Sequence, residues 1–168
     1  MSDSRAAVVL IGAPGAGKTR TGKRLARLLN LPLIDTDARV VAAHGPIAVI
    51  FDELGEAQFR EWERESVAEA LAERAIVTLG GGAVLNADTQ ADLAGLPVVQ
   101  LTIDADVVEQ RIAGGKRPLL RDGIGAWQAI VDARQPLYDS LSSLTIDTSH
   151  IPLDTVAERI VGWLETRP

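Results

Sequence analysis

The chain has 168 residues, 46% of them hydrophobic, which suffices to bury a sizeable core and matches the length of one domain. Seventeen Lys and Arg stand against 23 Asp and Glu, a net charge of -6, so the surface as a whole repels phosphate backbones and nucleic acid is not an expected partner. Cysteine is absent, which excludes disulfides, thiolate catalysis and Cys-ligated zinc and suits a reducing compartment.

The first residues, Met-Ser-Asp-Ser-Arg, precede an apolar run too short for a membrane span or a complete secretory signal. The expectation is a cytoplasmic protein with no membrane partner. That run, Ala6 to Ile11, is continuous and ends in glycine, the pattern of a strand buried on both faces of a parallel sheet. Residues 17 to 29 then switch to helical spacing. Leu31 to Ile34, Ala75 to Leu79, Val98 to Ile103 and Leu144 to Ile146 are further strand candidates, and 56 to 73 and 152 to 165 read as helices. Strands alternating with helices imply right-handed crossovers and an α/β fold. The stretch 114 to 123 is rich in glycine and positive charge and carries no clear periodicity. The two histidines, His44 and His150, are isolated and give no metal-ligand spacing.

Residues 12 to 19 read Gly-Ala-Pro-Gly-Ala-Gly-Lys-Thr, between a strand candidate and a helix candidate. Glycines allow the backbone to wrap a phosphate with successive N–H groups aimed at its oxygens, and the following helix adds its positive end. Gly15, Ala16, Gly17, Lys18, Thr19 and Arg20 are the expected triphosphate contacts, with Lys18 reaching the β- and γ-phosphates and Thr19 coordinating Mg²⁺. A P-loop alone does not separate a kinase from a GTPase or a motor. Here Ile76-Val77-Thr78-Leu79 runs into Gly80-Gly81-Gly82 without an acidic residue, which lacks the usual Walker B aspartate and favours a small kinase.

Asp35-Thr36-Asp37 closes the second strand candidate, at the edge where a parallel sheet presents its ligands. Either aspartate can cap the helix that follows. As site residues, Asp37 can accept a hydrogen bond from a substrate hydroxyl, while Asp35 can face the Mg²⁺ and its waters. Arg60, among Glu56, Glu61, Glu63 and Arg64, reads alone as a surface ion-pair partner. Arg134 reads alone as a solvated helical residue.

Taken in order, the P-loop, Asp35 to Asp37, the segment Ile47 to Glu63 with Phe59-Arg60, the glycines 80 to 82, Arg117-Pro-Leu-Leu120 and Arg134-Gln-Pro-Leu-Tyr138 resemble shikimate kinase over nearly the whole chain. The resemblance implies a single P-loop kinase domain over 1–168, like the nucleoside-monophosphate kinases. Its parallel sheet would have five strands, with a mobile lid at about 112–124 and a shikimate-binding helical region at about 37–62. It implies transfer of the ATP γ-phosphoryl group to the 3-hydroxyl of shikimate, with Mg²⁺. Arg60 and Arg134 would clamp the carboxylate in the two-point fashion of a planar guanidinium. Asp37 would hold the ring hydroxyls, and Gly81 and Gly82 would approach the ring. Phe51, Phe59 and Leu119 would supply apolar walls or simply pack. Arg117 would meet the transferring phosphate and help exclude water, and Arg111 would lie near the adenine. Lys18, Asp37 and Arg117 are thus the expected catalytic set.

ATP and shikimate are the expected small-molecule partners, and the single-domain size suits a monomer. Kinases of gluconate or of nucleoside monophosphates remain the nearest alternative; the Asp-Thr-Asp and Phe-Arg pairs argue against them. A regulatory module without catalysis is disfavoured by Lys18, Thr19, Asp37 and Arg117. Around residues 148 to 152, where the family often carries an arginine beside the adenine, this chain has none.

Overall fold

The computed structural model describes residues 4–113 and 123–168. The first apolar run forms β1 (Val8–Gly12), every residue of it buried. Such a strand cannot lie at a solvated edge, and it is the middle strand of a five-stranded parallel sheet of order β2-β3-β1-β4-β5, with β2 at Leu33–Asp35, β3 at Ile76–Thr78, β4 at Val98–Thr102 and β5 at Leu144–Asp147. β1 is paired to β3 through Val8 with Ile76 and to β4 through Val9 with Val98.

Side chains alternate across a strand, and the two faces carry separate cores. Val8, Leu10, Val99 and Leu101 point into one, closed by Leu25 of α1 (Lys18–Leu29) and by Val156 and Ile160 of α8 (Leu153–Thr166). Val9, Ile11, Val77 and Val98 point into the other, closed by Val67 and Leu71 of α4 (Glu56–Leu71) and by Leu93 of α5 (Ala87–Leu93). Residues 36 to 54 form two further helices, α2 (Thr36–His44) and α3 (Ile47–Leu54). Their small core of Val40, Ile50 and Phe59 sits beside the sheet on α4, and His44 stacks flat on Trp62 with ring centroids 3.6 Å apart.

α6 (Ala105–Ala113) precedes the undescribed stretch and α7 (Gly123–Leu141) follows it. α7 contributes Trp127 to the first core and Tyr138 to the second, so this one helix joins both layers. The sequence placed Arg134 on a helix but not the bounds of that helix, because glycines open it and Pro136 lies inside it; a proline removes one N–H from the helical ladder. Among the described residues no helix is long and apolar enough to cross a membrane.

Candidate active site

β1 runs straight into the P-loop, and the fit is tight. A Cβ on Gly12 would lie 2.1 Å from the carbonyl oxygen of Leu101 on β4, so no side chain can stand there. Gly17 takes φ +92°, a left-handed turn that delivers the chain into α1. Lys18 Nζ donates to the carbonyls of Gly12 at 2.6 Å and Ala13 at 3.1 Å, which folds the ammonium back over the loop it serves. Thr19 Oγ1 lies 3.3 Å from Asp35 Oδ2, while Asp35 Oδ1 accepts from the N–H of Ala38 and caps α2. Asp35 thus caps α2 and also turns a carboxylate oxygen towards the P-loop threonine. A hydroxyl and a carboxylate side by side are hard oxygen donors of the kind Mg²⁺ takes. No cluster of three or more His, Cys, Asp or Glu suited to a metal occurs among the described residues, so a divalent ion here would rely on phosphate oxygens and water for its remaining ligands.

Asp37 projects from the first turn of α2. Its Oδ1 is buried and finds no hydrogen-bond partner among the described residues, an unusual state for a carboxylate and one that a donor from a ligand would relieve. Burial pushes its pKa up, as does the charge of Asp35, against the opposing pull of Lys18 and Arg60. Opposite Asp37 lies the turn after β3. A Cβ on Gly80 would fall 2.6 Å from both carboxylate oxygens of Asp37, and one on Gly82 would fall 2.7 Å from Nη1 of Arg60. A Cβ on Gly81 would come within 3.1 Å of Nη1 of Arg134. Three successive residues without side chains thus leave room for three charged groups from α2, α4 and α7, which explains a run of glycines that local turn chemistry does not require.

The two arginines are held differently. Arg60 Nη1 donates to both oxygens of Glu63, at 2.9 and 3.2 Å, and Nη2 reaches Glu56 at 3.4 Å; the guanidinium also lies 5.3 Å from the ring centre of Phe59. Glu63 is only 4% exposed. Burial raises its pKa, as the charge of Asp37 does, while Arg60 and then Arg134 pull it down. Glu63 thus orients Arg60 by a two-point contact and acts on Arg134 through its charge alone. Burial raises the pKa of the Tyr138 phenol against the pull of the Arg134 charge, and Tyr138, 1% exposed, donates to the carbonyl of Gly81 at 2.8 Å. Glu63 and Tyr138 were present in the sequence motifs without an assigned role; their function is visible only once α4 and α7 face the glycine turn.

Asp37, Arg60, Gly81, Gly82 and Arg134 are therefore brought together, with Lys18, Thr19 and Asp35 adjoining. Arg117 and Leu119 lie outside the described residues, and of Arg111 only the backbone, in α6, is described. Phe59 belongs to the core of the helical region, whereas Phe51 rests on it with ring centres 5.2 Å apart and stays 36% exposed. Packing thus accounts for Phe59, and Phe51 remains available as a wall. Beside the P-loop opens a cleft of about 220 Å³ lined by Ala16, Gly17, Arg20, Thr148, Ile151 and Pro152 among others. The loop at 148 to 152, which lacks the arginine, supplies apolar surface instead.

The shikimate kinase family model matches residues 14–165. The shikimate kinase of Thermobifida fusca is 47% identical over 165 residues, 96% of each chain, and that of Corynebacterium efficiens is 41% identical over 160 residues, 92% of this chain and 95% of its own. Among solved structures, the shikimate kinase from Acinetobacter baumannii in complex with shikimate superposes with a TM-score of 0.87 at 30% identity, covering 97% of this chain and 94% of that one. With a five-stranded P-loop sheet, a glycine turn ringed by Asp37, Arg60 and Arg134, and relatives of this identity over almost the full length, the chain belongs to the shikimate kinase family of ATP-dependent kinases.

Proposed function

We propose that this chain transfers the γ-phosphoryl group of ATP to the 3-hydroxyl of shikimate, giving 3-phosphoshikimate and ADP, as a single-domain cytoplasmic monomer whose reaction needs Mg²⁺. The observation that carries the reading is the glycine turn 80–82, which accommodates one carboxylate and two guanidinium groups within 3.1 Å of its Cβ positions. Shikimate is a ring bearing a carboxylate at one end and hydroxyls at the other. Arg60 and Arg134 complement the first, and the orphaned oxygen of Asp37 complements the second.

Phosphoryl transfer asks the protein mainly for positioning and charge neutralisation. Lys18 leaves the Gly12 and Ala13 carbonyls for the phosphates, and its charge then stands where negative charge develops. Thr19, with Asp35 behind it, would hold Mg²⁺, which when bound neutralises β- and γ-phosphate oxygens. Asp37 accepts the hydroxyl hydrogen and orients its oxygen toward the transferring group. Its raised pKa makes it a better proton acceptor than an ordinary aspartate. By resemblance, Arg117 supplies a further cation at the transferring phosphate. The cleft beside Ala16 and Pro152 takes the adenine, with Arg20 at its rim.

The test is ADP release with shikimate, gluconate, AMP and CMP as alternative acceptors. Release with shikimate alone, abolished by EDTA and restored by Mg²⁺, is the expected result; equal release with gluconate or a nucleoside monophosphate would overturn the assignment. Light scattering of the free enzyme should give the mass of one chain.

A further inference from the structure

Two side chains outside the family motifs grip the P-loop from behind. The indole N–H of Trp127, on α7, donates to the carbonyl of Pro14 at 2.8 Å, and Trp127 is 2% exposed. The hydroxyl of Thr148, in the loop after β5, lies 2.8 Å from the carbonyl oxygen of Ala16 and 3.0 Å from that of Thr102, so its single hydrogen is shared with the shorter contact favoured. Both grips span more than a hundred residues of sequence.

A trans peptide unit is planar, and its C=O and N–H point in opposite directions. Fixing the Pro14 carbonyl toward Trp127 therefore fixes the Gly15 N–H away from it. Fixing the Ala16 carbonyl toward Thr148 does the same for the N–H of Gly17. These two N–H groups belong to the set that cradles a phosphate in a P-loop, and both glycines have positive φ, +88° and +92°, where the backbone resists rotation least.

We propose that Trp127 and Thr148 are positioning residues of the nucleotide site: each holds one P-loop carbonyl outward and so aims the next N–H at the phosphates. Trp127 does not line the cleft beside the P-loop; Thr148 does, but its hydroxyl hydrogen is committed to the Ala16 and Thr102 carbonyls. The proposal rests on the reading of residues 12–19 as the triphosphate site.

Calorimetric titration of ADP, inorganic tripolyphosphate and shikimate into the wild type and the variants W127F, T148V and T148S tests it. W127F keeps an aromatic ring and removes the donor, T148V keeps the shape and removes the hydroxyl, and T148S restores the hydroxyl. W127F and T148V should each weaken ADP and tripolyphosphate by the same factor, about threefold to tenfold for one lost hydrogen bond. Shikimate affinity should be unchanged and T148S should match the wild type. Unchanged anion affinity in the variants would overturn the proposal. So would an equal loss for shikimate, which would mean general loosening of α7. A loss confined to ADP would also overturn it, by placing Thr148 at the base rather than the phosphates. Should W127F fail to fold, the Thr148 pair decides alone. A wild type that binds neither ADP nor tripolyphosphate would instead sink the reading of 12–19 itself.

Discussion

Gly82 and Arg60 are locked together: a methyl group on the glycine would stand 2.7 Å from one guanidinium nitrogen and 2.8 Å from the other. Because Arg60 is pinned by Glu63 and Glu56, it can yield only by losing those bonds. Gly82→Ala should therefore lower Tm, because the buried Glu63 loses its partner, and raise the KM for shikimate roughly tenfold to a hundredfold, the effect of misplacing one charge-assisted pair. Steady-state kinetics beside a thermal melt would check this, and an unchanged KM would show that Arg60 does not hold the carboxylate.

Asp37→Asn separates stability from catalysis. The fold raises the pKa of Asp37, chiefly by burial. An acid raised in the fold contributes stability that is present below its unfolded pKa and is lost as pH rises through the folded pKa. At neutral pH the ionised side chain therefore costs the free enzyme stability. The Asn variant should melt higher than the wild type at pH 7, with the advantage disappearing in acid, while kcat falls by about a hundredfold or more. A variant that melts lower at neutral pH would contradict the burial argument.

Arg134→Ala should raise the shikimate KM by about tenfold to a hundredfold, as expected for one partner of a charge-assisted pair, and leave the ADP dissociation constant unchanged. Equal losses on both sides would place Arg134 in the nucleotide site. Arg134→Lys should recover little, because an ammonium cannot make the paired contact of a guanidinium.

How α7 is attached to the sheet gives a fourth prediction. Gln100, 1% exposed on β4, donates to Asp139 at 2.9 Å and accepts from Gln135 at 2.7 Å, while Gln135 also donates to Asp139. These donors, Gln100 first, hold the Asp139 pKa below the ordinary carboxylate range. The resulting stability is present above the unfolded pKa and lost as pH falls through the folded one. Gln100→Leu should lower Tm at neutral pH, and the difference from the wild type should narrow in acid. Parallel Tm curves across that range would mean that Asp139 is not part of the linkage.

The sheet was legible because its strands are short apolar runs bounded by glycine or by the start of helical spacing, as at Val8–Gly12 and Val98–Thr102. The acidic pair at 35 and 37 was legible as well, although which aspartate caps the helix required the Asp35 to Ala38 bond to decide. What sequence periodicity could not reach were pairings across long separations. Tyr138 on the Gly81 carbonyl and Trp127 on that of Pro14 join segments 57 and 113 residues apart, and no local pattern encodes such a meeting. The same limit hid the use of Glu63, which reads as one more charge on an acidic helix until burial and two arginines give it a task.

α7 touches the P-loop through Trp127 and the glycine turn through Arg134. Seven residues of helix separate them, about 10 Å at roughly 1.5 Å per residue. The helix is in this sense a ruler laid between the P-loop and the glycine turn. One residue inserted between 127 and 134 would lengthen it only slightly but would turn Arg134 by about 100° away from Gly81. The stretch should accordingly tolerate substitution on its outer face and reject every change of length.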